Sequence, residues 1–151
     1  SKGTVFFQAG EEMLRTKDGD ENSYKSGDAI NNIDWSVLKE GSNEYEMMRY
    51  YQELIRVRQE YAIFRTLNTA VIANTSYGEG RAAITLDNHA GGKALIVSNP
   101  TGEAMTYNVS GNWHMIVNGV DVMDAPEAVT GSITVPAYTA VVFVNDACLN
   151  G

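Results

Sequence analysis

Between about Asn68 and Asn145 the sequence breaks into short apolar runs separated by turn residues, and this alternation constrains the fold more than any other feature of the chain. The runs at Ala70–Ala73, Arg81–Asp87, Ala94–Ser98, Ala104–Val109, Trp113–Val117, Ser132–Val135 and Ala140–Val144 read as strands. Tyr77-Gly78-Glu79-Gly80, Asp87-Asn88, Gly91-Gly92, Asn99-Pro100-Thr101-Gly102, Ser110-Gly111-Asn112, Asn118-Gly119 and Pro136-Ala137 lie between them. Each is a combination that favours a reversal of the backbone. Short strands at this spacing predict an antiparallel sandwich or barrel. Neither an internal repeat nor a low-complexity segment is present.

The preceding residues have a different character. A short contiguous apolar run, Thr4-Val5-Phe6-Phe7, is bounded by Gly3 and Gly10 and reads as a strand buried on both faces. A polar segment without apolar periodicity follows from Glu11 to Asn32. Loops of this length inside compact domains are usually functional or disordered. A helix then starts near Ser42 or Asn43, with Glu44 and Glu46 in its first turn, where acidic groups favour the dipole. Met47, Tyr51, Leu54, Ile55, Arg58, Tyr61 and Ala62 share one face. Met48, Tyr50, Val57 and Phe64 widen the apolar surface beyond one stripe, so the helix is expected to be covered on more than one side. A doubly buried strand and a broad helix need more partner surface than the β-type stretch can supply. The first 65 or so residues therefore read as the tail of a larger domain.

Composition narrows the function. The chain has 151 residues, with 11 basic against 19 acidic side chains, a net charge of −8 and a pI near 4.6. Such a chain lacks the clustered cations that phosphate neutralisation requires, which argues against nucleic acid and anionic membrane surfaces as partners. No apolar run approaches the roughly 18 residues of a membrane span, and the amino-terminal residues contain no signal-type apolar segment. The single cysteine, Cys148, cannot form an internal disulfide.

Few residues combine into chemistry. Asp18-Gly19-Asp20-Glu21-Asn22 starts like a calcium loop, but Ser23 stands where the sharp turn needs Gly and Ala29 where a bidentate Glu is required. His89 and His114 have no metal-ligand spacing, no GxSxG elbow occurs, and the Gly pairs fall between strands rather than before a helix. No metal site is therefore expected. Glu11 and Glu12 are adjacent and expected to diverge on an extended strand, with Glu12 paired to Arg15. Asp28, Asn31, Asn32 and Asp34, beside Trp35, are more suggestive. One helical turn places Asp28 and Asn32 on one face, and planar amides and carboxylates beside an aromatic suit sugar hydroxyls. The competing reading is a loop held by Asx turns, with Trp35 in the core.

Two longer segments add a resemblance. Gly3-Thr4-Val5-Phe6-Phe7-Gln8-Ala9-Gly10-Glu11-Glu12-Met13-Leu14-Arg15-Thr16-Lys17 resembles the end of the catalytic barrel of type I pullulanases, in the α-amylase superfamily. Asn22-Ser23-Tyr24-Lys25-Ser26-Gly27-Asp28-Ala29-Ile30-Asn31-Asn32-Ile33-Asp34-Trp35 is similar to the loop that follows that strand. The resemblance implies a mainly β chain, with the last strand, loop and helix of a (β/α)8 barrel over residues 1–66 and an antiparallel β-sandwich over 67–151. It implies a C-terminal fragment of a retaining glycoside hydrolase that cleaves α-1,6-glucosidic linkages in pullulan and related α-glucans. The family's nucleophilic Asp, general-acid Glu and stabilising Asp lie on earlier strands, so no catalytic residue carries over and the chain alone is expected to be inactive. Asp28 and Asn32 match positions that contact sugar, although Asn32 replaces a common Arg. Glu11 likewise stands where Gln is usual. The implied partners are α-glucan and either the remaining barrel or a second copy of the chain. No cofactor is implied, with calcium conceivable only in the parent enzyme. The family suggests an extracellular or cell-surface bacterial setting, and the sequence leaves a cytoplasmic one open. The alternative is a non-catalytic carbohydrate-binding or structural β-sandwich module, favoured by an exposed aromatic platform. Trp113, alternating with Met115 and Val117, reads instead as core.

Overall fold

The structure is a computed structural model that describes residues 4–150; Gly3, the amino-terminal boundary of the first apolar run, lies outside them. The chain divides into two compact units, one of Phe6–Glu53 and the other holding Leu54 onward together with Thr4 and Val5.

The β unit contains six strands, β1 (Ala70–Ser76), β2 (Ala82–Asp87), β3 (Lys93–Asn99), β4 (Met105–Val117), β5 (Val122–Val135) and β6 (Thr139–Val144). All pairings are antiparallel, in the order β1-β2-β3-β6-β4-β5. Two predicted strands, Ala104–Val109 and Trp113–Val117, are one. The intervening Ser110-Gly111-Asn112 is a bulge inside β4, where the register against β5 shifts between Val109 and Trp113. Gly111 sits at φ +101°, a conformation without side-chain cost only for glycine. β5 also begins ten residues before the predicted Ser132, at Val122. Its early part, with Asp124, Pro126 and Glu127, is mostly exposed and has no apolar alternation to announce it. It is an edge strand made by pairing with β4, and an edge tolerates proline.

The sheet bends on itself. β4 meets β6 only from His114 to Val117, whereas Met105–Val109 pairs with β5 alone. That outer half of the ribbon closes over one face of the sheet: Met105, Val109 and Val135 pack with Ala83, Leu95, Val97, Val141 and Phe143. The resulting two-layered antiparallel arrangement is the expected mainly β class. On the opposite face, Leu86, Ala94, Ile116, Val117 and Val144 pack with Val57, Tyr61, Ile63 and Phe64. The residues that cross from helix to sheet are thus part of the β unit's own core. A terminal one-turn helix, α3 (Asp146–Leu149), follows β6.

The Phe6–Glu53 unit is built mostly of turns. It holds short 3₁₀ turns at Glu11–Met13, Ser23–Lys25 and Trp35–Val37, the four-residue helix α1 (Asp28–Asn31) and the start of α2 (Asn43–Glu60). The predicted strand at Thr4–Phe7 does not form, since a strand exists only through pairing and no described segment pairs with it. Phe6 is 95% exposed. The predicted α2 does form, but among its residues only Val57 is buried, and Leu54 and Ile55 face solvent. Its second apolar side is uncovered among the described residues.

Candidate sugar-binding loop

The segment from Gln8 to Val37 is held by hydrogen bonds rather than by a core. Gly10, at φ +92°, begins the 3₁₀ turn Glu11–Met13, and its carbonyl accepts from Met13 N (3.1 Å) and Arg15 N (3.0 Å). A Cβ at position 10 would meet Arg15 Cδ at 2.5 Å, so the corner requires glycine for space as well as for φ. The expected Glu12–Arg15 ion pair is not formed. The backbone turns here instead of extending, so Glu12 accepts from Gly10 N at 3.0 Å while Arg15 donates to the carbonyl oxygens of Ala9 and Asn31. Glu11 accepts from the Tyr51 hydroxyl at 3.3 Å, and Phe7 packs edge-on against the same ring. Burial and the nearby Glu11 carboxylate push the Tyr51 hydroxyl pKa up.

The following turns tie their own polar side chains. Asp20 accepts from Ser26 Oγ and from Asn22 N (3.0 Å), and these bonds lower its pKa, the Ser26 bond most. Asp34 caps the Trp35–Val37 turn, accepting from Ser36 N at 2.9 Å and Ser36 Oγ at 2.6 Å, and its pKa is lowered for the same reason. The Asp18–Asn22 stretch therefore forms an ordinary polar turn. Among the described residues no three His, Cys, Asp or Glu side chains are grouped to hold a metal ion.

Within this frame Asp28 is the first residue of α1 and Asn32 caps its end. Asn32 N donates to Asp28 O at 2.9 Å, and both side chains are exposed, without hydrogen-bond partners among the described residues. Trp35 is 64% exposed and Tyr24 72%, so Trp35 is not the core residue that a purely structural loop would have placed there. The Asx turns exist, but Asp20 and Asp34 make them, leaving Asp28 and Asn32 with their hydrogen-bonding capacity unused. Asn31, grouped in the sequence with the sugar-type residues, has a different part in the structure. Its amide nitrogen donates to Ser23 O (2.8 Å) and Ser26 O (2.7 Å), and its oxygen accepts from Lys17 Nζ at 2.6 Å. The signal lay in the Arg15-x-Lys17 stretch and in Asn31, but no periodicity links residues 14 positions apart.

On the β unit, a groove of about 330 Å³ is lined by Trp113, His114, Val129 and Asp146. His114 Nε2 and Asp146 Oδ1 lie 2.6 Å apart. Trp113 is half-buried with Met115 against the inner core and donates to Ser110 O at 3.0 Å, whereas Val117, expected on the same face, joins the opposite cluster because the register shifts between Met115 and Val117.

No family model matches the chain. The pullulanase of Bacillus subtilis (strain 168) is 38% identical over 72 residues, which is 48% of this chain and 10% of that protein. The solved pullulanase of Bacillus acidopullulyticus superposes with a TM-score of 0.78 at 28% identity, over 96% of this chain and 19% of its own. The chain is similar to pullulanases in sequence and in fold. A third pullulanase, from Anoxybacillus sp. LM18-11, solved in complex with maltotetraose, shares the fold at TM-score 0.72 and 23% identity, over 96% of this chain and 21% of its own. The chain thus spans about a tenth of the curated protein and a fifth of the solved ones that it matches.

Proposed function

We propose that the chain is the C-terminal part of a debranching glycoside hydrolase that cleaves α-1,6-glucosidic linkages in pullulan and related α-glucans with retention. Residues 1–66 are then the C-terminal end of a (β/α)8 barrel, and 67–151 are the sandwich that follows it in the chain. The observation that carries this reading is the fold match over 96% of the chain to a pullulanase at 28% identity. The exposed Phe6, Leu54 and Ile55 support it, because they are surfaces that the remaining barrel, or a second copy of the chain, would cover. A maltooligosaccharide bound in a relative supports the substrate class.

In this reading Asp28 and Asn32 bind sugar hydroxyls, and the acid, nucleophile and stabilising carboxylate lie in the rest of the barrel. Asp28 is suited to the role because its carboxylate is exposed and unpartnered among the described residues, so binding sacrifices no internal bond. Both of its oxygens accept hydroxyl protons, while the Asn32 amide donates and accepts. Such contacts, away from the cleaved bond, hold substrate and transition state alike.

The test is Asp28→Ala in the assembled enzyme. Losing a hydrogen bond to a charged group costs about 1.5–3 kcal/mol, so kcat/KM on pullulan should fall roughly 10- to 150-fold. Asn32→Ala should show a smaller loss. The isolated chain should leave pullulan intact. Pullulan hydrolysis by this chain alone, or unchanged kinetics for Asp28→Ala, would overturn the assignment.

A further inference from the structure

We propose that Asn31 is a positioning residue, locked by Lys17 and Arg15, that fixes the backbone from which Asp28 and Asn32 present their side chains to sugar. The inference rests on the sugar-binding reading of Asp28. It starts from a mechanical problem. Neither Asp28 nor Asn32 has a side-chain partner among the described residues, so each is aimed by its backbone alone. That backbone is the four residues of α1, far too few to be helical in isolation. Something outside the helix must hold it.

Asn31 closes both ends of that problem. Its two amide protons reach Ser23 O and Ser26 O, tying the end of α1 to the turn that precedes it. Its amide oxygen takes Lys17 Nζ, which also bonds Ser23 Oγ at 2.9 Å. Its backbone carbonyl takes the Arg15 guanidinium. Arg15 is itself fixed at the corner through Ala9 O and by packing over Gly10, where no Cβ can fit. Two cations therefore meet one residue, and both bonds are charge-assisted, about twice as strong as neutral ones. The connection runs from Gly10 through Arg15 and Lys17 to Asn31, which lies between the two candidate sugar contacts and touches neither sugar position through its own side chain. Asn31 is half-buried and nearly saturated: its amide uses both donors and one of two acceptor sites. A residue so occupied is unavailable to ligand and suited to holding its neighbours.

The experiment is pullulan kinetics on the complete enzyme carrying this segment, with Asp28→Ala, Asn31→Ala, Lys17→Met and the double variant Asp28→Ala/Asn31→Ala. Asn31→Ala should raise KM roughly tenfold with kcat little changed, the pattern of lost substrate binding. Lys17→Met, which cuts the same bond from its other end, should move KM in the same direction and keeps the test alive if Asn31→Ala does not fold. The double variant should be within about twofold of Asp28→Ala alone, because residues that act through one another are not additive. A normal KM for Asn31→Ala and Lys17→Met, with Asp28→Ala impaired, overturns the positioning role and leaves the sugar contact standing. Additive losses in the double variant also overturn it. A normal KM for Asp28→Ala overturns the sugar-binding reading itself.

Discussion

Asn99 is fully buried although its side chain is polar. Its amide nitrogen donates to Glu103 O (2.8 Å), Pro136 O (2.9 Å) and, at 3.3 Å, Val135 O, while its oxygen accepts from Thr101 Oγ1 at 2.7 Å. It thus staples the turn after β3 to the end of β5. Replacing it with Ala would remove all of these bonds, each worth about 0.5–1.5 kcal/mol, although Glu103 O and Pro136 O still accept from Thr101 Oγ1 and Thr139 Oγ1. Asn99→Ala is therefore expected to lose about 2–4 kcal/mol in urea unfolding. A loss within about 0.5 kcal/mol, the range of ordinary surface substitutions, would mean that water replaces the amide at no cost. Asn31 is the analogous staple in the loop, but half-buried.

Elements end where side chains accept the bonds that the backbone leaves open. Ser42 precedes α2: its hydroxyl oxygen accepts from Tyr45 N at 3.2 Å and its hydroxyl proton goes to Val37 O at 3.0 Å. Ser42→Ala should destabilise the chain by about 1 kcal/mol, and Ser42→Asp, which keeps the acceptor, by less. Equal midpoints for wild type and Ser42→Ala in a urea titration would remove the cap from the account. The turns before it respond to acid. Asp20 and Asp34 have pKa values lowered by the bonds they accept, so the folded form prefers both ionised. Their contribution is complete above the unfolded value of about 3.9 and disappears as pH falls through the lower folded values. In an NMR titration from pH 6 to 2, the amide signals of Asn22 and Ser36 should hold until below about pH 3.9 and then move. Midpoints at or above that value would contradict the bonding described for these turns.

For the molecule as a whole, the β unit carries the packed core. Phe143 is the largest of its fully buried side chains and joins the layer shared by β2, β3, β4, β5 and β6. Phe143→Ala should cost about 3–5 kcal/mol, a large share of the 5–15 kcal/mol typical of a domain. The loss should appear in hydrogen exchange across β3 and β6, while the Asx turns at Asp20 and Asp34, which hold themselves locally, keep their acid titration. Retention of full stability in Phe143→Ala would show that the ribbon of β4 and β5 does not depend on this layer.

The sequence by itself determined the class of the β unit. Near-continuous apolar runs in Arg81–Asp87, Ala94–Ser98 and Ala140–Val144 mark the inner strands, because a strand with a core on each face must place an apolar group at successive positions. It also determined α2, through a cap and a helical apolar face, and the resemblance to pullulanases, which comparison bears out. It could not show that Ala104–Val109 and Trp113–Val117 are one strand, because Gly111 reads as a turn until pairing with β5 continues past it. It missed the first ten residues of β5, whose edge position leaves little apolar pattern to read. The apolar run Thr4–Phe7 carries the signature of a buried strand and forms none, since hydrogen-bonded partners make a strand and an apolar composition only permits one. In the loop, Asp28 and Asn32 were legible as residue types that suit sugar, but their freedom from internal bonds was not. That freedom was decided by tertiary contacts, because Asn31, Lys17 and Arg15 meet only after the chain has turned at Gly10 and returned. Periodicity records what each residue faces within its own element, and it carries no trace of a hydrogen bond made between elements.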